Sequence, residues 1–163
     1  IGDPIGVFDG ETLIGRVRSV TLSLDGSEVL IENFMTVDFK GFSIGALPKL
    51  VLAEVVSFIA EGNRSIQTIG IELSRPIPDF DGREGLLAKA RSEILESIGA
   101  RNILIVPKAA HFAVTGIWRY DGESVAALVE TLRTQRHAYR ADKMALKVTP
   151  PTRLGRLLRK KSP

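Results

Sequence analysis

Apolar and polar residues alternate at the start of the chain, but the alternation changes phase. Leu13, Gly15 and Val17 share one parity, while Val20, Leu22 and Leu24 share the other. The extended run from Glu11 to Leu24 therefore needs a bulge or bend near Arg18–Ser19. Asp25-Gly26 is a two-residue hairpin signal and turns the chain into a second strand, Glu28 to Phe39. Strict alternation puts Val29, Ile31, Met35, Val37 and Phe39 on one face of that strand and Leu30, Phe34 and Thr36 on the other. Apolar residues on both faces suit a central strand.

A helix is predicted from about Ala46 to Ala60, with Pro48 tolerated in its first turn and Gly62-Asn63 closing it. Its surface is apolar nearly all round, so it is expected to be deeply buried. Ile66 to Leu73 reads as a short apolar strand stopped by Pro76 and Pro78. Asp81 with Glu84 forms a capping-box pattern for a helix from about Glu84 to Ile98, with Gly99 in the C′ position. Strands follow at Asn102 to Val106 and His111 to Tyr120, then a helix from Glu123 to about Tyr139. The predicted order is β-β-α-β-α-β-β-α. It implies an α/β (α+β) fold: a mixed, largely antiparallel sheet flanked by helices on both faces. Residues 1–148 read as one domain and residues 149–163 as a basic tail.

At 163 residues with 44% hydrophobic content, the chain is long enough to bury a core without staples. Its longest apolar run, Leu50 to Ala60, falls short of the ~20 residues a bilayer span needs. No signal peptide is visible, and the first residue is Ile1, which fits a processed start or a piece of a longer protein. The absence of Cys excludes a disulfide framework and thiolate metal sites and fits a reducing, cytoplasmic compartment. Two histidines, His111 and His137, are too few for a zinc cluster, and no metal is expected.

The net charge of +3 conceals a division. Residues 1–130 hold 12 Lys+Arg against 18 Asp+Glu, whereas residues 131–163 hold 10 against Asp142 alone. Such asymmetry marks a segment that meets something acidic: nucleic acid, a membrane surface, a partner or the body of the same protein.

Candidate chemistry begins at Lys40-Gly-Phe-Ser-Ile-Gly45, between a central strand and a buried helix. A helix N-terminus presents free N–H groups and a positive dipole end to an anion, and Gly41 and Gly45 let a ligand approach the backbone. The same turn also reads as a tight strand-to-helix connection.

From Glu11 to Tyr120, element order and spacing resemble the GNAT-type N-acyltransferases. Thr12-Leu-Ile-Gly15 is similar to their early strand, and Val29 to Phe39 to the central strand before the acyl-CoA loop. Lys40-Gly41-Phe42-Ser43-Ile44-Gly45 resembles their pyrophosphate loop, Arg/Gln-x-x-Gly-x-Gly/Ala, with Ser43 replacing the middle glycine. Ile94-Leu95-Glu96-Ser97-Ile98-Gly99 stands where the family carries Leu-Tyr-Glu-x-x-Gly.

The resemblance implies an acyltransferase that moves an acyl group from acetyl-CoA or a longer acyl-CoA to a small-molecule or protein amine. The pyrophosphate would rest on the backbone of residues 41–46, with Lys40, Gly41, Ser43, Gly45 and Ala46 contributing. The pantetheine arm would bond the strand edge at about Met35 to Val37. Attack of an amine on the thioester needs a base for the ammonium proton and an acid for the thiolate. Glu32 is the first candidate base and Asp38 the second; Glu32 also reads as a solvent-facing strand carboxylate. The family's Tyr acid is Leu95 here, leaving Tyr120 or water to substitute. The family usually begins with a strand and two helices that shape the acceptor site, whereas fewer than 12 residues here precede the first clear strand. The acceptor pocket is therefore expected to be missing, supplied elsewhere or rebuilt by the C-terminal segment.

A shorter alignment links Glu72-Leu-Ser-Arg75 and the elements that follow it to the Glu-x-Ser-Arg region of acyl-homoserine-lactone synthases. There Glu72 would orient an amine and Arg75 a carboxylate or phosphate. Lys108-Ala-Ala-His111 offers a general acid–base histidine but no nucleophile beside it. Trp118 and Tyr120 flank Arg119 as core and sheet-surface residues. The alternative to an enzyme is a non-enzymatic binding module. Its basic residues 133–161 would contact nucleic acid, an acidic partner or a membrane surface, with Leu154, Leu157 and Leu158 at helical spacing.

Overall fold

The computed structural model describes residues 4–37, 46–76, 84–108 and 111–148. In chain order these form β1 (Ile5–Asp9), β2 (Thr12–Leu22), β3 (Glu28–Thr36), α1 (Ala46–Gly62), β4 (Thr68–Pro76), α2 (Glu84–Ser97), β5 (Arg101–Pro107), β6 (His111–Arg119) and α3 (Gly122–Val148). The fold class is as expected, with one strand more at the front. Ile5 and Val7 alternate with Gly6 and Phe8, and Asp9-Gly10 is a second hairpin dipeptide, Gly10 taking φ 61°. The Asp25-Gly26 hairpin is present too. Hydrogen bonds from Ser23 and Ser27 hold the Asp25 carboxyl at about 2.

The six strands run in the order β1-β2-β3-β4-β6-β5. Only β3 and β4 pair in parallel; every other neighbouring pair is antiparallel. β5 runs the same way as β4, since each is antiparallel to β6. Two crossovers, β3-α1-β4 and β4-α2-β5, therefore step across the sheet in the same direction. With right-handed connections both helices fall on one face. This corrects the expectation of helices on both faces. α1 packs over β1–β3 and α2 over β5 and β6, while α3 lies along α1. One continuous core joins Val17, Val29, Ile31, Ile69, Ile71 and Val114 of the sheet to Leu52, Val56, Leu95, Ile98, Leu128 and Leu132 of the helices. The opposite face leaves Phe8, Leu30, Met35 and Leu104 exposed.

Close approach of the helices is set by two glycines. A Cβ on Gly15 would stand 2.5 Å from Val51 Cγ1, so α1 can settle on β2 only if no side chain is there. Gly99 closes α2 at φ 80° with Gly99 N–H to Glu96 O and Ala100 N–H to Leu95 O, as expected of a C′ glycine. A Cβ on it would meet Ser124 Cα of α3 at 2.9 Å.

α3 extends well beyond Tyr139, so much of the basic region is an ordered helix whose cations meet the acidic body. Arg136 makes a two-pronged pair with Glu54 of α1 at 2.6 and 2.8 Å. Tyr139 Oη donates to the Asp9 carboxylate at 2.9 Å, and Lys143 Nζ donates to the same group. At the other end Ser124 Oγ donates to Gly99 O, and Thr131 Oγ1 to Ser97 O. Residues 149–163 lie outside the described residues. Among the described residues no helix is long and apolar enough to cross a membrane.

Burial, with the bond and charge of Asp9 adding to it, pushes the Tyr139 phenol up to about 12 from 10.0. The folded protein therefore holds this proton longer than the unfolded chain. The resulting stability is complete below pH 10 and is lost as pH rises towards 12. Alkaline unfolding of the intact chain and of Tyr139→Phe measures it. The wild-type advantage should be constant below pH 10.0 and shrink above it; a gap independent of pH would contradict the role assigned to Tyr139.

Candidate active site at the strand branch

β3 and β4 pair only from Glu28↔Thr68 to Ile31↔Ile71. Beyond that point β2 carries β3 on to Thr36 and β6 carries β4 on to Pro76, so the two strands part. The cause is local. Asn33 adopts φ 55°, a left-handed conformation that Asn tolerates better than most residues. Arg18, which would face it, has no register partner, while Val17↔Phe34 and Val20↔Ile31 pair on either side.

Both flanking pairs turn their side chains to the helix face. The phase change expected near Arg18–Ser19 is thus present, and β3 makes the same change. Phe34 packs into the core, while Met35 and Val37 stand exposed on the other face. This corrects the single alternating face assigned to Val29, Ile31, Met35 and Val37. The register is the same on either side of Arg18 and Asn33, so both strands reverse faces together at the positive φ of Asn33.

The backbone direction past Asn33 follows from one bond. Val37 N–H donates to Ile14 O at 3.1 Å, on the β2 side. In an antiparallel pair bonded and non-bonded positions alternate, so Met35 and Val37 turn their backbone groups towards β2. Phe34 and Thr36 present theirs to the opening. α1 then starts at Ala46, whose first turn carries no acidic side chain. Asp38, Lys40, Gly41, Ser43 and Gly45 lie outside the described residues, as does the Asp81 cap.

Glu32 and Glu72 occupy the first positions past the last β3–β4 pair. Their neighbours Ile31 and Ile71 are in the core, so both carboxylates belong to the helix-free face. Lys108, just after β5, reaches across β6 to Glu72, Nζ to Oε1 at 2.7 Å. The sequence pattern gave no warning of this pair, which joins positions 36 apart through two strands. His111 begins β6.

Tyr120 stands at the far end of β4, where its N–H donates to Gln67 O at 2.9 Å. Its exposed ring meets buried Trp118 edge-on with centroids 5.9 Å apart. The structure does not bring Tyr120 together with Glu32. Leu95 is fully buried, its Cδ1 only 3.1 Å from where a Cβ on Gly116 would stand. The family's Tyr position therefore belongs to the core of this chain. Two open grooves lie elsewhere, one between β1 and α1 and one along the basic side of α3, and neither is lined by Glu32, Glu72 or Lys108.

A mixed sheet whose two parallel strands separate halfway, with a helix following the first, is compatible with a GNAT-like fold. Among solved structures the chain is similar to a CoA-dependent acyl-homoserine lactone synthase, MesI. The TM-score is 0.50 and the identity 10%, over 80% of this chain and 68% of that chain. No protein-family model and no curated protein matches the sequence. At this identity the likeness is one of fold.

Leu95→Tyr tests the placement of the family's tyrosine position. The hydroxyl and larger ring have no room against Gly116, so the variant should lose about 1–3 kcal/mol of stability and gain no thioester cleavage. Thermal unfolding and a free-thiol assay read the two effects. A stable variant with new cleavage activity would show that this position opens on the cleft.

Proposed function

We propose that the chain transfers an acyl group from an acyl-CoA to a small-molecule amine at the branch between β3 and β4. The observation that carries this reading is the parting of these strands after Ile31 and Ile71, past which the main-chain groups of Phe34 and Thr36 point away from β2 with no strand beside them among the described residues. An extended pantetheine arm carries amide groups that match such an edge, adding to β3 as a strand would. Met35 and Val37 would line the arm with their side chains. The N-terminus of α1, with Ala46, and the preceding Lys40, Gly41, Ser43 and Gly45 would receive the pyrophosphate. The fold shared with a CoA-dependent enzyme supports the same co-substrate.

In the reaction the amine nitrogen attacks the thioester carbonyl carbon, the C–S bond breaks, and an amide and free CoA form. One carboxylate must take the ammonium proton, and the thiolate takes a proton from water. Glu32 serves as the base and Glu72 holds the incoming ammonium, with Asp38 as second candidate for the base. Tyr120 has no part in this scheme because it lies at the other end of β4. The Glu72-Leu-Ser-Arg75 match and the neighbour's product class favour an amino-acid-derived amine as acceptor. The alternative of a binding module using residues 133–161 gains no support, since Arg136 and Lys143 already face carboxylates of the body.

A ligand-shift screen of the intact chain with CoA thioesters of increasing length tests the reading, followed by free-CoA release with added amines. At least one thioester should raise the melting temperature. Glu32→Gln should keep that shift while lowering turnover by about a hundredfold or more. No shift with any thioester would refute the assignment.

A further inference from the structure

A carboxylate that is to hold an acceptor ammonium must be aimed, and a glutamate side chain on an open sheet face has several rotamers to choose from. Lys108 is placed to fix Glu72. Its Nζ lies 2.7 Å from Glu72 Oε1, with side-chain exposures of 37% for Lys108 and 20% for Glu72. The stem crosses β6 where that strand presents Ala113 and Thr115 on the helix-free face, small side chains that leave room for four methylenes. Among the described residues, other charges around Glu72 are few. β3 contributes Glu32, β5 ends in Lys108, β6 contributes no charged side chain beside it, and the helices lie on the opposite face.

We infer that Lys108 is a positioning residue that holds the Glu72 carboxylate aimed along the branch. The two carboxylates thereby divide their tasks, Glu72 holding the acceptor ammonium and Glu32 taking its proton. This rests on the transferase reading above. It adds a residue from the edge strand to a site otherwise built from β3, β4 and the start of α1. The lysine itself touches neither substrate. Its amine sits on one carboxylate oxygen and leaves the other for the acceptor, so acceptor binding and Lys108 are cooperative and do not compete.

The test compares the intact chain with Lys108→Met, Lys108→Gln and Lys108→Arg. Each is measured by thioester-induced thermal shift and by the kinetics of free-CoA release at varied amine. The Met and Gln variants should keep the thioester shift and raise the acceptor KM several-fold with kcat little changed. Lys108→Arg, which preserves the charge and the hydrogen bond, should restore the KM. If wild type shows the thioester shift but the variants leave acceptor KM unchanged, or lower kcat alone, the role of Lys108 is overturned and the transferase reading stands. If wild type shows no shift with any thioester, that reading fails and this inference fails with it.

Discussion

Everything proposed for this chain depends on β3 leaving β4. Parallel strands in register bury their backbone groups in a shared ladder, and a ladder has no room for a ligand. Here it stops after four residue pairs, and among the described residues the next positions on each strand pair with the far-side neighbour alone. Asn33 is the hinge. Its left-handed backbone turns β3 out of line, and β2 follows by leaving Arg18 unpaired. One residue thus coincides with the end of the parallel pairing, turns the main chain of Phe34 and Thr36 away from β2, and leaves Glu32 and Glu72 as the first residues past the ladder.

The rest of the molecule holds that branch rigid from one side. α1 can lie against β2 because Gly15 has no side chain, and Leu47 in its first turn packs with Ile14 of β2 and Phe34 of β3. α3 braces α1 through Arg136 and Glu54, and reaches the edge strand through Tyr139, Lys143 and Asp9. The charge division along the sequence is therefore in part an internal one. Basic residues of the C-terminal helix meet acidic residues of the body, at mostly exposed positions where each pair adds only modest stability. All three helices share this side, and the branch carboxylates face the other.

Much of the fold was legible in the sequence because local signals agreed. Asp25-Gly26, the apolar helix after position 45, Gly99 and the order of strands all carry their own turn or cap chemistry. β1 was passed over although Asp9-Gly10 is the same kind of signal as Asp25-Gly26. The face reversal in β3 was missed for a better reason. Its apolar residues fit a single alternation well, and the fault showed only in β2, whose in-register pairing with β3 required both strands to reverse faces together. Of the proposed site, the strand position of Glu32 could be read from the sequence, whereas the backbone edge expected at Met35–Val37 falls instead on Phe34 and Thr36, because Val37 bonds to β2. Glu72 entered through a four-residue match, and its partner Lys108 could not be found without the sheet order, because β6 lies between them. Tyr120 fails for the same reason: neighbourhood in sequence to the last strand says nothing of which end of β4 it will meet.

Amide hydrogen exchange at Phe34 and Thr36 reports most directly on the branch. In the free protein both amides should exchange fast compared with those of Ile31 and Ile71, and a saturating acyl-CoA should slow them selectively. Slow exchange at Phe34 and Thr36 in the free chain, or no change on adding any acyl-CoA, would contradict the account.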